Sequence, residues 1–271
     1  MTLADIVKLL DQTFCPEFQE EYDNSGFLLG DPCRDLTGVL VALDLTDKVL
    51  EEAVSKNLNL IVTHHPFIFG GLKHITPDRT AGRLALRLAE QGIAAYAAHT
   101  NLDNLKAGVN GILAATLGLE HCEILRPLAA PALDPSVGAG MVGDLPDFLP
   151  TPSFLAMVKE VLHLQTIRIN IDALDVRPSI RRVAICGGAG AFLLEDAVNA
   201  KADIFLTGDL KYHDFQKTEQ RIVLADIGHY ESEQLARGLM AGAIDALVEK
   251  YADQPIPVCI TTVCDRWEGW L

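Results

Sequence analysis

The chain has 271 residues, 49% hydrophobic and 22% charged, and carries a formal net charge of −15. That length buries a sizeable core and fits one large domain or two small lobes, and the composition excludes a disordered chain. The acidic balance argues against a nucleic-acid groove or an anionic membrane surface as main partner, because both call for a basic patch.

Leu3 to Phe14 carries apolar residues at 3, 6, 7, 10 and 14, the stripe of an amphipathic helix, with Thr2 as N-cap. A turn-rich stretch follows, Glu21-Tyr-Asp-Asn-Ser-Gly-Phe-Leu-Leu-Gly-Asp-Pro32. The pattern then predicts a strand over 39–43 closing on Asp44, a helix over 47–56, and a strand over 58–62. Pro66 stops that strand, so His64 and His65 stand at its C-terminal edge, where open α/β sheets bind ligands. Neighbouring side chains on a strand splay to opposite faces, which makes the pair awkward on one ion and suited to two ions side by side. A helix over 78–90, capped by Thr76 or Asp78 and stopped near Gly92, leads to a strand over 93–98 that ends His99-Thr-Asn-Leu-Asp103. A helix over 106–117 closes this half.

From about 121 to 155 the pattern weakens into proline- and glycine-punctuated sequence, read as the link between lobes with short edge strands. The second half predicts a helix over 154–162 and strands over 166–171 and 182–186. Gly187-Gly-Ala-Gly-Ala191 and a helix to Ala200 follow, then strands over 204–206 and 222–225. The last two strands run into Thr207-Gly-Asp-Leu-Lys-Tyr-His-Asp214 and Asp226-Ile-Gly-His-Tyr-Glu-Ser-Glu233. A long helix to about Tyr251 and a strand over 258–263 complete the chain. Alternating strands and helices mean an α/β protein with mostly parallel sheets. A faint internal repeat of strand-end motifs suggests two similar lobes, 1–125 and 126–271, facing a metal-containing cleft. Whether the segment from about 230 onward returns to the first lobe stays open.

The six cysteines are scattered with no C-x-x-C, and the first residues lack a basic, apolar leader. No apolar run approaches the about 20 residues of a membrane span, so a cytoplasmic protein with reduced thiols is expected. Five of the eight histidines fall at predicted strand ends, with Asp103, Asp209, Asp226, Glu231 and Glu233 beside them. His229 and Glu233 are four apart at a helix start and share one face. Imidazole and carboxylate donors suit iron, manganese, zinc or cobalt, and the absence of cysteine disfavours a purely structural zinc site. Adjacent histidines, two carboxylates and a further histidine exceed one catalytic ion and fit two, which points to metal-assisted hydrolysis or hydration. His99 and His213 are candidates for proton carriers or orienting groups. The glycine run resembles an anion cradle but lacks a full phosphate-binding pattern, so tight strand-to-helix packing is its expected role. A (β/α)8 amidohydrolase would need a His-x-His and a longer chain.

Taken in order, Asn24-Ser-Gly-Phe-Leu-Leu-Gly30, Thr63-His-His-Pro66, Ala98-His-Thr-Asn-Leu-Asp103, Gly187-Gly-Ala-Gly190, Thr207-Gly-Asp-Leu-Lys-Tyr-His213 and Asp226-Ile-Gly-His-Tyr-Glu-Ser-Glu233 resemble the NIF-three-like dinuclear metal-centre proteins. That family is often described as type 2 homologues of GTP cyclohydrolase I. The resemblance implies that His64, His65, Asp103, His229 and Glu233 are ligands to two divalent metal ions, the five residues the spacing also selects. It further implies a toroidal homohexamer. One expectation is a hydrolase in which metal-bound hydroxide opens a ring of GTP or a related nucleotide, with His99 or His213 moving protons and Lys211 meeting phosphate. The alternative is a non-catalytic metal-handling scaffold or interaction platform.

Overall fold

A computed structural model describes residues 1–128 and 136–267. The proline-rich tract at 129–135, assigned from the sequence to an interlobe link, lies outside them. In chain order the elements are α1 (Leu3–Phe14), β1 (Gly26–Leu29), β2 (Val39–Ala42), α2 (Asp47–Ser55), β3 (Leu60–Thr63), α3 (Thr80–Gln91), β4 (Ala94–Ala97) and α4 (Thr100–Asn104). Next come α5 (Val109–Thr116), β5 (Glu120–Pro127), β6 (Gly138–Pro150), α6 (Thr151–Val161), β7 (Arg168–Ile169), α7 (Ala173–Val176), β8 (Ser179–Ile185) and α8 (Leu194–Asn199). The last are β9 (Ile204–Thr207), α9 (Tyr212–Gln216), β10 (Val223–Asp226), α10 (His229–Glu233), α11 (Ala236–Tyr251) and β11 (Val258–Ile260).

These form two compact α/β units. Among the described residues the first comprises Met1–Leu102 and 236–267, and the second Asp103–Leu235. This division falls in the middle of α4, whereas the sequence suggested a boundary near 125. The reason is packing: Leu113, Ala114 and Leu117 of the α5 region join the core of the second unit. The open question about the C-terminal segment is also answered, since β11 pairs in parallel with β2.

The first unit holds a five-stranded sheet in the order β1-β4-β3-β2-β11. Four of its strands are parallel, and β1 runs antiparallel at the edge. Leu40, Ala42, Ile61 and Ala95 face one way and pack with Leu50, Leu84 and Leu88 from α2 and α3. Tyr96, on the alternate face, donates its hydroxyl to Asp11 of α1 at 3.0 Å and meets the ring of Phe14. Helix α1 begins with a capping box, Thr2 Oγ1 accepting from Asp5 N while Asp5 accepts from Thr2 N. Helix α3 starts two residues later than predicted, at Thr80 with Arg79 as N-cap and no side-chain cap bond, and ends as expected at Gly92.

Glu52 of α2 is buried and fastens the strand exit after β11 to the helix. It accepts from Lys56 Nζ (2.6 Å), the hydroxyls of Thr261 (2.5 Å) and Thr262 (2.7 Å), and Thr262 N (3.1 Å). Burial pushes its carboxyl up, but Lys56 and the two threonines more than reverse this and bring it down from 4.5 to about 2. A carboxyl lowered on folding contributes stability in full above its unfolded value, and that contribution disappears as pH falls toward the folded value. Glu52→Gln is therefore expected to cost on the order of 2–3 kcal/mol near neutral pH. The gap to wild type should close between about pH 4.5 and pH 2 in a series of urea titrations; a gap constant over that range would contradict the assignment.

The second unit has a six-stranded sheet ordered β5-β6-β8-β9-β10-β7. Its centre, β8-β9-β10, is parallel, and antiparallel pairs flank it on both sides. The predicted interlobe link is in fact largely β5 and the 13-residue β6, which pairs with both β5 and β8. Gly138, Gly140 and Pro146 mask the strand signal in a segment whose alternation is interrupted by register shifts. One face of this sheet packs Ile185 and Leu206 with Leu113 of α5 and Phe154 and Val158 of α6; the other packs Phe205 and Leu224 against Leu194 and Ala197 of α8. Among the described residues no helix is long and apolar enough to cross a membrane.

Candidate metal centre

In the first unit the chemistry gathers at the C-terminal edge of the parallel strands. Strand β3 stops at Thr63, and the next two backbone N–H groups both turn toward β2, His64 N to Ala42 O (3.3 Å) and His65 N to Leu43 O (3.0 Å). Consecutive donors to one neighbour break the pleat, so the alternation expected of adjacent side chains ends here. The expected splay of the two histidines is thereby corrected. Their ring centroids are 5.0 Å apart, and each contacts His99 at 5.3 and 5.4 Å. One ring nitrogen from each of His64, His65 and His99 lies within 4.8 Å of the others.

Each imidazole is oriented through Nδ1. His64 is fully buried, with Nδ1 2.7 Å from Ala98 O, and His65 Nδ1 is 3.0 Å from Asp44. His99 Nδ1 is 2.7 Å from Asp23. A carbonyl or carboxylate oxygen accepts, so the proton belongs on Nδ1 and the lone pair on Nε2, the tautomer that binds a metal. Asp23 also accepts from Thr100 N (3.0 Å) and Thr100 Oγ1 (2.5 Å). Burial opposes its charge, yet the hydrogen bonds from His99 and the Thr100 hydroxyl hold it well below the usual carboxylate range.

In the second unit α10 presents His229 and Glu233 one turn apart, as their spacing predicts, with Nε2 and Oε2 3.0 Å from each other. His229 Nδ1 lies 2.8 Å from Asp209, a non-glycine residue at φ 55°. Both ring nitrogens thus face carboxylates, an arrangement satisfied by an imidazolium or by a cation in place of the Nε2 proton. The short helix α10 ends at Glu233, and the long helix expected after it follows as α11, from Ala236 to Tyr251.

Glu233 sits against the glycine run. A Cβ on Gly188, at φ 61°, would lie 2.1 Å from Glu233 Oε1 and 3.3 Å from His229 Nε2. The N–H groups of Gly187, Gly188 and Gly190 donate to Asn110, Ser232 and Thr207. They are engaged within the unit, so the run acts by close packing and the resemblance to an anion cradle does not hold. Asp103 reaches the same region from α4: its carbonyl accepts from Asn110 Nδ2 at 3.1 Å. Burial, then the charges of Asp103 and Glu233, push the Cys186 thiol up, which makes it an inert wall.

Asp226 turns away to bind Arg168, Leu210 N and Gly228 N, a structural role. Glu231 packs under Gly228, where a Cβ would meet its carboxylate at 2.3 Å. His213 is exposed on α9 with its ring against Tyr212 at 5.4 Å, Lys211 is exposed beside it, and neither joins a metal-capable cluster among the described residues. The sequence reading missed the orienting carboxylates Asp23 and Asp44. Asp44 carried a signal, as the residue that ends β2 in the way His64 ends β3.

A set of oriented imidazoles with carboxylates at strand and helix ends is a donor set for divalent metal. A family model for Duf34/NIF3 (NGG1p interacting factor 3) matches residues 1–263. The chain belongs to the Duf34/NIF3 family. Among curated Duf34/NIF3 relatives, the GTP cyclohydrolase 1 type 2 homolog of Clostridium perfringens is 33% identical over 236 residues, 86% of this chain and 87% of the relative. The protein of the same name from Lactococcus lactis is 35% identical over 232 residues, 85% and 86% of the two chains. Of the solved structures, Staphylococcus aureus protein SA1388 superposes with a TM-score of 0.85 at 28% identity, covering 100% of this chain and 99% of that one. A Bacillus cereus protein related to NIF3 shares the fold, with a TM-score of 0.89 at 21% identity over 100% and 99% of the chains. The Duf34/NIF3 assignment agrees with the α/β architecture of two sheets, and residues of this chain are arranged so that they could hold metal.

Proposed function

We propose that the chain is a dinuclear metal-dependent hydrolase in which His64, His65, Asp103, His229 and Glu233 hold two divalent ions of iron, manganese or zinc, and that it opens a ring of GTP or a related nucleotide. One observation carries this reading: His64, His65 and His229 each have Nδ1 engaged by an oxygen, which orients Nε2 as the donor to metal. The names of the relatives favour cyclohydrolase chemistry, and Asp103 and Glu233 add the carboxylates such a centre requires. Bound ions of this kind supply Lewis acidity and bring the pKa of a water near neutrality.

His99 takes the proton-carrying role. Asp23 fixes its Nδ1–H, leaving Nε2 to accept or return a proton beside His64 and His65. No carboxylate orients His213 among the described residues, and the proposed mechanism does not use it. The same reading includes assembly into a toroidal homohexamer, which light scattering would test.

The deciding experiment is metal content per protomer, by elemental mass spectrometry, on protein purified without chelator or affinity metal. About two equivalents are expected in wild type and about one or fewer in Glu233→Ala. His99→Asn should keep its metal and lose about 10²- to 10⁴-fold in turnover of GTP. Near-zero metal that manganese, iron or zinc does not restore would overturn the proposal. The metal-handling scaffold, favoured by the net charge of −15, would instead be supported by full metal, ready exchange with metal-free acceptors, and no turnover across nucleotides and phosphoesters.

A further inference from the structure

We propose that Tyr22 and Phe69 form a stacking platform that receives a planar heteroaromatic ring of the substrate and presents it to His99. The inference rests on the hydrolytic reading above and adds to it the part of the substrate that is recognised. Tyr22 follows the short 3-10 helix Pro16–Phe18, and Phe69 lies three residues beyond Pro66, in the segment that continues from the histidine pair. Both are large apolar rings turned outward, at 63% and 52% exposure, where burial would be the default for such side chains. Their planes are within 18° of parallel with centroids 6.5 Å apart, so the two rings share one stacking direction.

The platform leads inward. Phe69 meets His99 edge-on at 5.5 Å, and His99 meets His64 and His65 in the same manner. Exposure falls along this row of rings, from the open Tyr22 and Phe69 to the buried His64. The two segments are also tied together, because Asn24 Nδ2 donates to Ile68 O at 2.6 Å. Asp23, between Tyr22 and Asn24, is the carboxylate that orients His99. One turn of chain therefore fixes both the outer ring and the inner imidazole.

The chemistry of the surface selects the ligand class. Glu20 and Glu21 directly precede Tyr22 and disfavour a phosphate at that end. What remains is aromatic face beside a proton-carrying imidazole, which suits an uncharged nitrogen heterocycle recognised by stacking, with its sugar or phosphate directed elsewhere.

The test is equilibrium binding of guanosine, adenosine and ribose 5-phosphate to the metal-loaded full chain, with metal content measured on the same samples. Wild type should bind both nucleosides and bind ribose 5-phosphate far more weakly. Phe69→Ala and Tyr22→Ala should each weaken nucleoside binding about 10-fold at unchanged metal content, and Phe69→Trp should restore it. Equal nucleoside affinity in wild type and both alanine variants would overturn the proposal, as would ribose 5-phosphate binding as well as guanosine, or full metal with no nucleoside binding. Loss of metal in wild type would instead count against the hydrolase reading, so the two failures are separable.

Discussion

Gly188→Ala is expected to strip metal from the protein while leaving the fold in place. Its backbone sits at φ 61°, and a Cβ there would come within 2.1 Å of Glu233 Oε1 and 3.0 Å of Glu233 Cδ. The backbone penalty for alanine in this conformation is roughly 1–2 kcal/mol, which a folded domain survives. The carboxylate cannot stay where it is, and if Glu233 holds metal as proposed, its displacement should weaken metal binding by about 100-fold. Gly118 supplies the control: it has a similar φ of 69°, and a Cβ there meets nothing within 4 Å. Gly118→Ala should show the same backbone penalty and normal metal content. If both variants bind metal like wild type, Glu233 is not a ligand; if both lose it, strain rather than ligand displacement is responsible.

The second large effect is on stability. Asp265 is fully buried beyond β11, where it accepts from Leu43 N at 2.7 Å and lies 3.5 Å from Arg237 Nη1. Asp265→Ala leaves a buried amide and a mostly buried guanidinium without this acceptor, at a cost of about 3–5 kcal/mol. Urea denaturation should register the loss with little change in slope. Leu43 precedes Asp44, which orients His65, so the variant should also hold metal less tightly at temperatures where the protein is still folded. A loss below about 1 kcal/mol would mean that water replaces the carboxylate and that β2 is held by its ladder alone.

The sequence carried the α/β class and the strand-end clusters because buried parallel strands are short apolar runs, and a polar residue at their end is conspicuous. Leu60–Thr63 followed by His64 is the clearest instance. It carried the His229–Glu233 pair because helical spacing is local. It did not carry β6, whose glycines and register shifts obscure alternation, or the unit boundary within α4, which depends on the sheet against which Leu113 and Leu117 pack. It could not reveal that His64 and His65 converge, since that follows from two consecutive hydrogen bonds to β2 after the strand has ended. Asp23 stayed hidden for a related reason: its partner His99 is 76 positions away in the chain.

The two adjacent imidazoles are held from opposite directions, His64 by the end of β4 through Ala98 and His65 by the end of β2 through Asp44. Strand β3 lies between those two strands, with Thr63 level with Ala42 on one side and Ala97 on the other. The sheet therefore works as a ruler graduated in single residues. An exchange such as Ile61→Val alters what fills the ruler and leaves its marks in place. One residue inserted into β2, β3 or β4 moves a mark by a full step and carries every later side chain to the opposite face. For redesign of this chain, the freedom lies in the content of the three strands and the constraint lies in their length.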